Sequence, residues 1–238
     1  MQAEYLARLS RSVQEFIHEV EEGSHLHINV ILDSKLNHGG PTGQGNLEVE
    51  INAHRVQLYA PTNGYLPDGA VRHEVLHVQR FHIAGVPKLA LANEADWDKY
   101  LSESLGALDN AMEHIVIAPV ELQLHPERRK HWEAVMSDVC SELSFVPEDD
   151  RCLAVCLHWA FLRHALPDSP QIEIVRSFMN QHGLLGTADA FANQFLSVAA
   201  SKEEMVRVLF LAFPELRKRR AVLEYINSMT GTRQTSIP

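Results

Sequence analysis

The sequence is poor in cysteine, in long apolar runs and in positive charge, and each shortage removes a class of protein. Three cysteines, Cys140, Cys152 and Cys156, cannot build a disulfide framework. No apolar stretch approaches the roughly 18 residues that a membrane span requires, so no membrane partner is expected. The opening Met1-Gln2-Ala3-Glu4-Tyr5 has no basic segment leading into an apolar one. No secretory signal is read there, and a cytoplasmic location is expected. Lys and Arg number 21 against 31 Asp and Glu, a net charge of −10. A nucleic-acid partner, which needs clustered cations, is therefore not expected. The one basic cluster, Arg217-Lys218-Arg219-Arg220, reads as a solvated face. The glycines of the 37–45 loop are not followed by Lys-Ser or Lys-Thr, so the loop is not a phosphate cradle.

What is present is an ordinary globular balance: 238 residues, 45% of them hydrophobic and 22% charged. Apolar residues at helical spacing predict a helix over 4–22, which Gly23 would close. His25–Leu32 alternates and reads as a strand, and Leu47–Ile51 with Val56–Ala60 reads as a hairpin. A helix opens near Ala70 and runs to about residue 83, where Gly85-Val86-Pro87 breaks it. Asp96 is a plausible N-cap for a long helix from Trp97 to about Ile117, ended by Pro119. From residue 126 onward only helical periodicity is read, with a capping box at Ser201-Lys202-Glu203-Glu204 opening the last helix. The expected fold is α+β: a small mixed sheet with its helices in residues 1–125, then a helical region over 126–238 packed on it, or the two as a single domain.

Chemistry concentrates in His73-Glu74-Val75-Leu76-His77. Residues four apart share a helix face, so His73 and His77 present both imidazoles to one point. Two imidazole nitrogens can take two of the four positions around Zn²⁺. Glu74, about 100° round the helix, flanks that face and can serve as a general base toward a water that the metal acidifies.

The segment Arg72–Val78 resembles the active-site helix of the zincin metallopeptidases. The resemblance is local, covering the motif and its surroundings in residues 45–120. It implies a helix packed on a mixed sheet, His73 and His77 as zinc ligands, Glu74 as the base, and a peptide or protein substrate cleaved by water. The metzincin branch requires Gly at position 80 and His at position 83, and this chain has Arg80 and Ile83. The resemblance then implies a third ligand from a following helix, as in the gluzincins.

The long helix offers Asp109, Glu113 and His114 for that role. Glu113 lies about 120° from the centre of the apolar stripe and Asp109 about 80°, whereas His114 lies about 140° away on the opposite flank. Glu113, Asp109, Gly106 and Ser102 thus form a band beside the core-facing stripe. Glu113 is the expected third ligand, with Asp109 one turn before it able to orient a ligand.

Other candidates carry less. Cys152 and Cys156 share a helix face near His158, but two buried thiols account for that spacing. His25 and His27 share a strand face. His125, His131, His158 and His164 define no site by spacing, and neither do Tyr65 and Tyr100. Glu15-Phe16-Ile17-His18 and Glu74-Val75-Leu76-His77 both match the Glu-x-x-His of di-iron bundles, although strand-like segments separate them. The main alternative to a zinc peptidase is a zincin-like module that binds or regulates without cleaving.

Overall fold

The computed structural model describes residues 1–40, 43–92 and 98–237, with backbone alone for 217–219. The expected cap at Asp96, the start of the long helix at Trp97 and the side chains of Arg217, Lys218 and Arg219 lie outside the described residues. In chain order the elements are α1 (Ala3–Leu6), α2 (Arg11–Ser24), β1 (Ile28–Leu32), β2 (Glu48–Asn52), β3 (Arg55–Ala60), α3 (Asp68–Val78), β4 (Lys88–Leu91) and α4 (Lys99–Leu124). They continue with α5 (Arg129–Glu142), α6 (Glu148–Ala165), α7 (Gln171–Gln181), α8 (Leu185–Ser197), α9 (Lys202–Ala212), β5 (Ala221–Asn227) and β6 (Gly231–Ser236). The fold is mixed α+β with two small three-stranded sheets.

By compactness the chain divides into two units. One comprises Met1–Pro87, Glu121–His131 and Tyr225–Arg233; the other comprises Lys88–Val120, Trp132–Glu224 and Gln234–Pro238. The boundary expected at residue 125 falls within the Glu121–His131 segment.

In the first unit β3 is the middle strand, parallel to β1 and antiparallel to β2, giving a mixed sheet as the sequence predicts. Its alternation buries Val56, Leu58 and Ala60 on one face. Asn52 and Arg55 face each other across the β2–β3 turn, where Asn52 Oδ1 accepts from the His54 N–H at 3.1 Å. Helix α2 starts at Arg11, after a break at 7–10, and ends on His25 in the left-handed conformation, φ 57°. Gly23 is thus inside the helix and is needed for a different reason. A side chain there would come within 2.8 Å of Ile83 Cδ1, so glycine lets the end of α3's extension pack directly on α2. That extension, Gln79–Ile83, is a π-helical turn sealed by Ala84 N–H donating to Gln79 O at 3.0 Å.

In the second unit α6 and α8 form the main helix pair, and Ala188 and Ala192 on α8 allow close approach around buried Phe195 and Leu162. Helix α9 opens as the sequence predicts, with Ser201 Oγ accepting from the Glu204 N–H at 3.3 Å.

Two expectations are corrected. The region after 126 is not helical throughout: β5 and β6 join β4 in the second sheet, with β4 and β5 antiparallel. The Asn227 side chain makes the β5–β6 turn by accepting from the Met229 and Thr230 N–H groups, at 2.9 and 3.0 Å. Pro119 also does not end α4, which continues to Leu124. A proline inside a helix forfeits one hydrogen bond and costs about 3 kcal/mol. Burial of Ile115, Ile117, Ala118 and Glu121 around it offsets that penalty.

Candidate metal centre

Helix α3 brings His73 and His77 together one turn apart, both buried. Their rings meet edge-on, with centroids 5.0 Å apart and planes at 82°, and their Nε2 atoms are 3.3 Å from each other. Nitrogens bound at about 2.0–2.1 Å to one tetrahedral ion stand roughly 3.3–3.4 Å apart. The pair therefore fits two positions of such an ion.

The orientation of His73 is set from behind. Its Nδ1 lies 3.0 Å from Oε2 of Glu121, near the C-terminal end of α4, and Arg128 Nε donates to the other carboxylate oxygen. Glu121 is fully buried. Burial alone would raise its carboxyl, but the hydrogen bond and charge of His73 and the guanidinium of Arg128 outweigh it and bring the group down to about 2. An ionised carboxylate only accepts, so His73 Nδ1 carries the proton. In the neutral ring Nε2 is then the lone-pair nitrogen. Gly69, in the first turn of α3, makes the arrangement possible: a side chain there would come within 2.6 Å of Arg128 Cγ and 3.1 Å of His125 Cβ. Glycine lets the 125–128 segment lie directly on α3 and bring Arg128 to Glu121.

Glu74 follows His73 on the same helix and is half-buried. Burial pushes its carboxyl up to about 7, against the opposing pull of His73 and Arg128. A base near that value is matched to proton transfer at neutral pH.

On α4, His114 lies seven residues, two turns, before Glu121, so both project from one helix face. His114 is half-buried. The His114 ring stands edge-on to Trp132, centroids 5.0 Å apart. The His73–His77 pair can offer two nitrogens to a metal ion.

Glu113, the third ligand expected from the sequence, is buried in an ion pair of the second unit. Its carboxylate lies 2.8 Å from Lys202 Nζ, and Asp109 Oδ1 lies 2.7 Å from the same ammonium. Asp109 Oδ1 also accepts from the Leu89 N–H at 2.7 Å. A buried ammonium requires counter-charge, and these two acids supply it. Glu113 is a buried residue on the border of the apolar stripe of α4, and that border faces Lys202.

No family model, no curated protein and no solved structure matches this chain.

The remaining candidates are placed elsewhere. His25 caps α2 rather than lying on a strand, so it shares no strand face with His27. Glu15 and His18 are exposed on α2, and Glu15 pairs with Arg11 at 2.7 Å, which leaves no inward-facing di-iron motif there. Cys152 and Cys156 hydrogen-bond to each other, and burial first, then Cys152, raises the Cys156 thiol far above its usual range. His158 Nδ1 is buried with no hydrogen-bond partner among the described residues. His125 Nδ1 lies 3.1 Å from Glu127 Oε1. Glu121 and Arg128 are the residues that sequence reasoning missed. Ending the long helix at Pro119 hid the Glu121–His114 spacing, and no sequence signal ties Arg128 to it.

Proposed function

We propose that this chain is a zinc-dependent peptide-bond hydrolase in which His73 and His77 hold the metal and Glu74 is the general base. The observation that carries the reading is the His73–His77 Nε2 separation of 3.3 Å, with the His73 ring oriented by the buried Glu121–Arg128 pair. A hydrogen bond between the two Nε2 atoms gives the same separation, and metal content decides between the two. A carboxylate behind a ligating imidazole fixes its tautomer and raises its basicity, as metal sites commonly require. When bound, the metal would supply Lewis acidity.

The residues divide the work. His73 and His77 bind and orient. Glu121 holds the proton on His73 Nδ1 and keeps Nε2 available, and Arg128 keeps Glu121 ionised. Glu74 would accept a proton from the attacking water and return it to the departing amine. Support for a peptide as substrate comes from the resemblance of Arg72–Val78 to the zincin helix.

The test is metal content and hydrolysis on untagged protein. One zinc per chain is expected, together with cleavage of a casein or mixed-peptide substrate. Glu74→Gln should keep the zinc and lose cleavage. If that variant still cleaves, the base assignment is wrong. Zinc with no cleavage in the parent protein would favour the binding or regulatory module, and iron in place of zinc would overturn the metal.

A further inference from the structure

A second pair of metal-ligating side chains lies wholly within the second unit, on α6. Cys152 and Cys156 stand one turn apart on one helix face and hydrogen-bond to each other. Cys156 is buried, as the sequence suggests for both thiols, but Cys152 is half-buried and open to solvent on one side. A disulfide does not suit this spacing. Cβ atoms four residues apart on a helix are separated by about 5–6 Å. A disulfide needs roughly 3.5–4.5 Å. Closing that bond would break a turn of α6, whereas a single ion seated between the two sulfurs spans the gap and leaves the backbone in place.

The ion must be a soft one. Burial first, then the neighbouring thiol, raises the Cys156 thiol far above its usual range, so it keeps its proton at neutral pH unless a strongly thiophilic ion displaces it. Among the described residues no imidazole or carboxylate is grouped with the two sulfurs. Zinc, which takes a full tetrahedral set, would be left half-coordinated. Cu(I) selects thiolate ligands and accepts low coordination numbers. Two thiolates on one Cu(I) carry one net negative charge, and a cation is at hand. Arg151, immediately before Cys152, donates to Val146 O at 3.3 Å and lies 3.5 Å from His182 Nδ1, while its buried Nε has no hydrogen-bond partner. No carboxylate pairs with this guanidinium among the described residues. We propose that Cys152 and Cys156 form a binding site for a single Cu(I) ion, held as a bis-thiolate, with Arg151 as its counter-charge. On binding, two S–H bonds break and two Cu–S bonds form. Both protons pass to the solvent, and the copper stays in its +1 state. This site goes beyond the metal centre at His73 and His77 and does not rest on it.

Anaerobic titration of the reduced protein with Cu(I), in competition with bicinchoninate, tests the assignment. One equivalent should give thiolate-to-copper absorption in the near ultraviolet and protect two of the three cysteines from alkylation. Cys152→Ser and Cys156→Ser should each weaken binding by more than about 100-fold, the upper end of what a merely supporting residue contributes, because each removes a ligand. Cys140→Ser should bind like the parent. Arg151→Gln should weaken binding by about tenfold while the absorption persists, as expected of a residue that acts on the charge and not on the copper. Excess Zn²⁺ should leave the copper absorption in place. If the buried Cys156→Ser change prevents folding, Cys152→Ser decides, since that side chain is half-buried. No copper–thiolate absorption at one equivalent, a Cys152→Ser variant that binds like the parent, displacement by Zn²⁺, or ready formation of a Cys152–Cys156 disulfide with diamide would overturn the proposal.

Discussion

Two buried acidic networks lie along α4, and they differ in what neutralises them. Near its middle, Asp109 and Glu113 close on the Lys202 ammonium. Near its end, Glu121 is shared between the Arg128 guanidinium and the His73 imidazole. The first has a permanent cation at its centre and serves packing. The second ends on a ring whose far nitrogen faces another imidazole. A buried carboxylate therefore signals a metal centre only through its partner, and burial by itself made Glu113 and Glu121 look alike.

The sharpest way to break the comparison is Lys202→Met. It should lower unfolding stability by about 3–5 kcal/mol, because two buried acids lose their counter-charge. Urea unfolding reads this, and a loss well under 1 kcal/mol would mean the acids are not held by Lys202. Glu121→Gln should act on the metal instead, lowering zinc affinity by about 10–100-fold in competition with a chromophoric chelator. Glu113→Gln should leave zinc affinity unaltered. If these two variants exchange behaviour, the assignment of the two networks is reversed.

Gly69→Ala comes next. The added methyl would press on Arg128 and should destabilise the fold by about 1–3 kcal/mol, with a smaller loss of zinc affinity as Glu121 shifts. An alanine variant as stable as the parent would show that the 125–128 segment gives way freely.

The smallest effect concerns His158, an imidazole without the carboxylate support that His73 enjoys. Burial lowers its pKa to about 4, against an ordinary value of 6.5. The folded state prefers the neutral ring, so the stability it contributes is complete above the ordinary value and is lost as pH falls towards 4. Between pH 7 and pH 5.5 the loss should be about 1 kcal/mol. Chemical unfolding at the two pH values measures it, and His158→Gln should flatten the slope; an unchanged slope would place the titration elsewhere.

Local patterns carried much of the fold. The β2–β3 hairpin, the mixed sheet, α3 and the Ser201 cap each follow from nearby residues with strong preferences. The second sheet did not announce itself, because β4 has four residues and β6, Gly231–Ser236, has almost no apolar content. Those strands exist through pairing with β5, a contact distant in sequence from β4. Pro119 misled for a related reason. Its penalty is local, whereas the burial that offsets it is tertiary.

For the candidate site, the sequence alone determined that His73 and His77 share a face and that Glu74 flanks it. Helix geometry requires this of any residues at that spacing. Tertiary structure decided that Glu113 meets Lys202 and that Glu121 and Arg128 stand behind His73. Helical periodicity sets the angle between side chains about one axis. It carries no information about what each direction faces, and that depends on segments tens of residues away: on Gly69, which allows Arg128 to approach, and on the ammonium of Lys202.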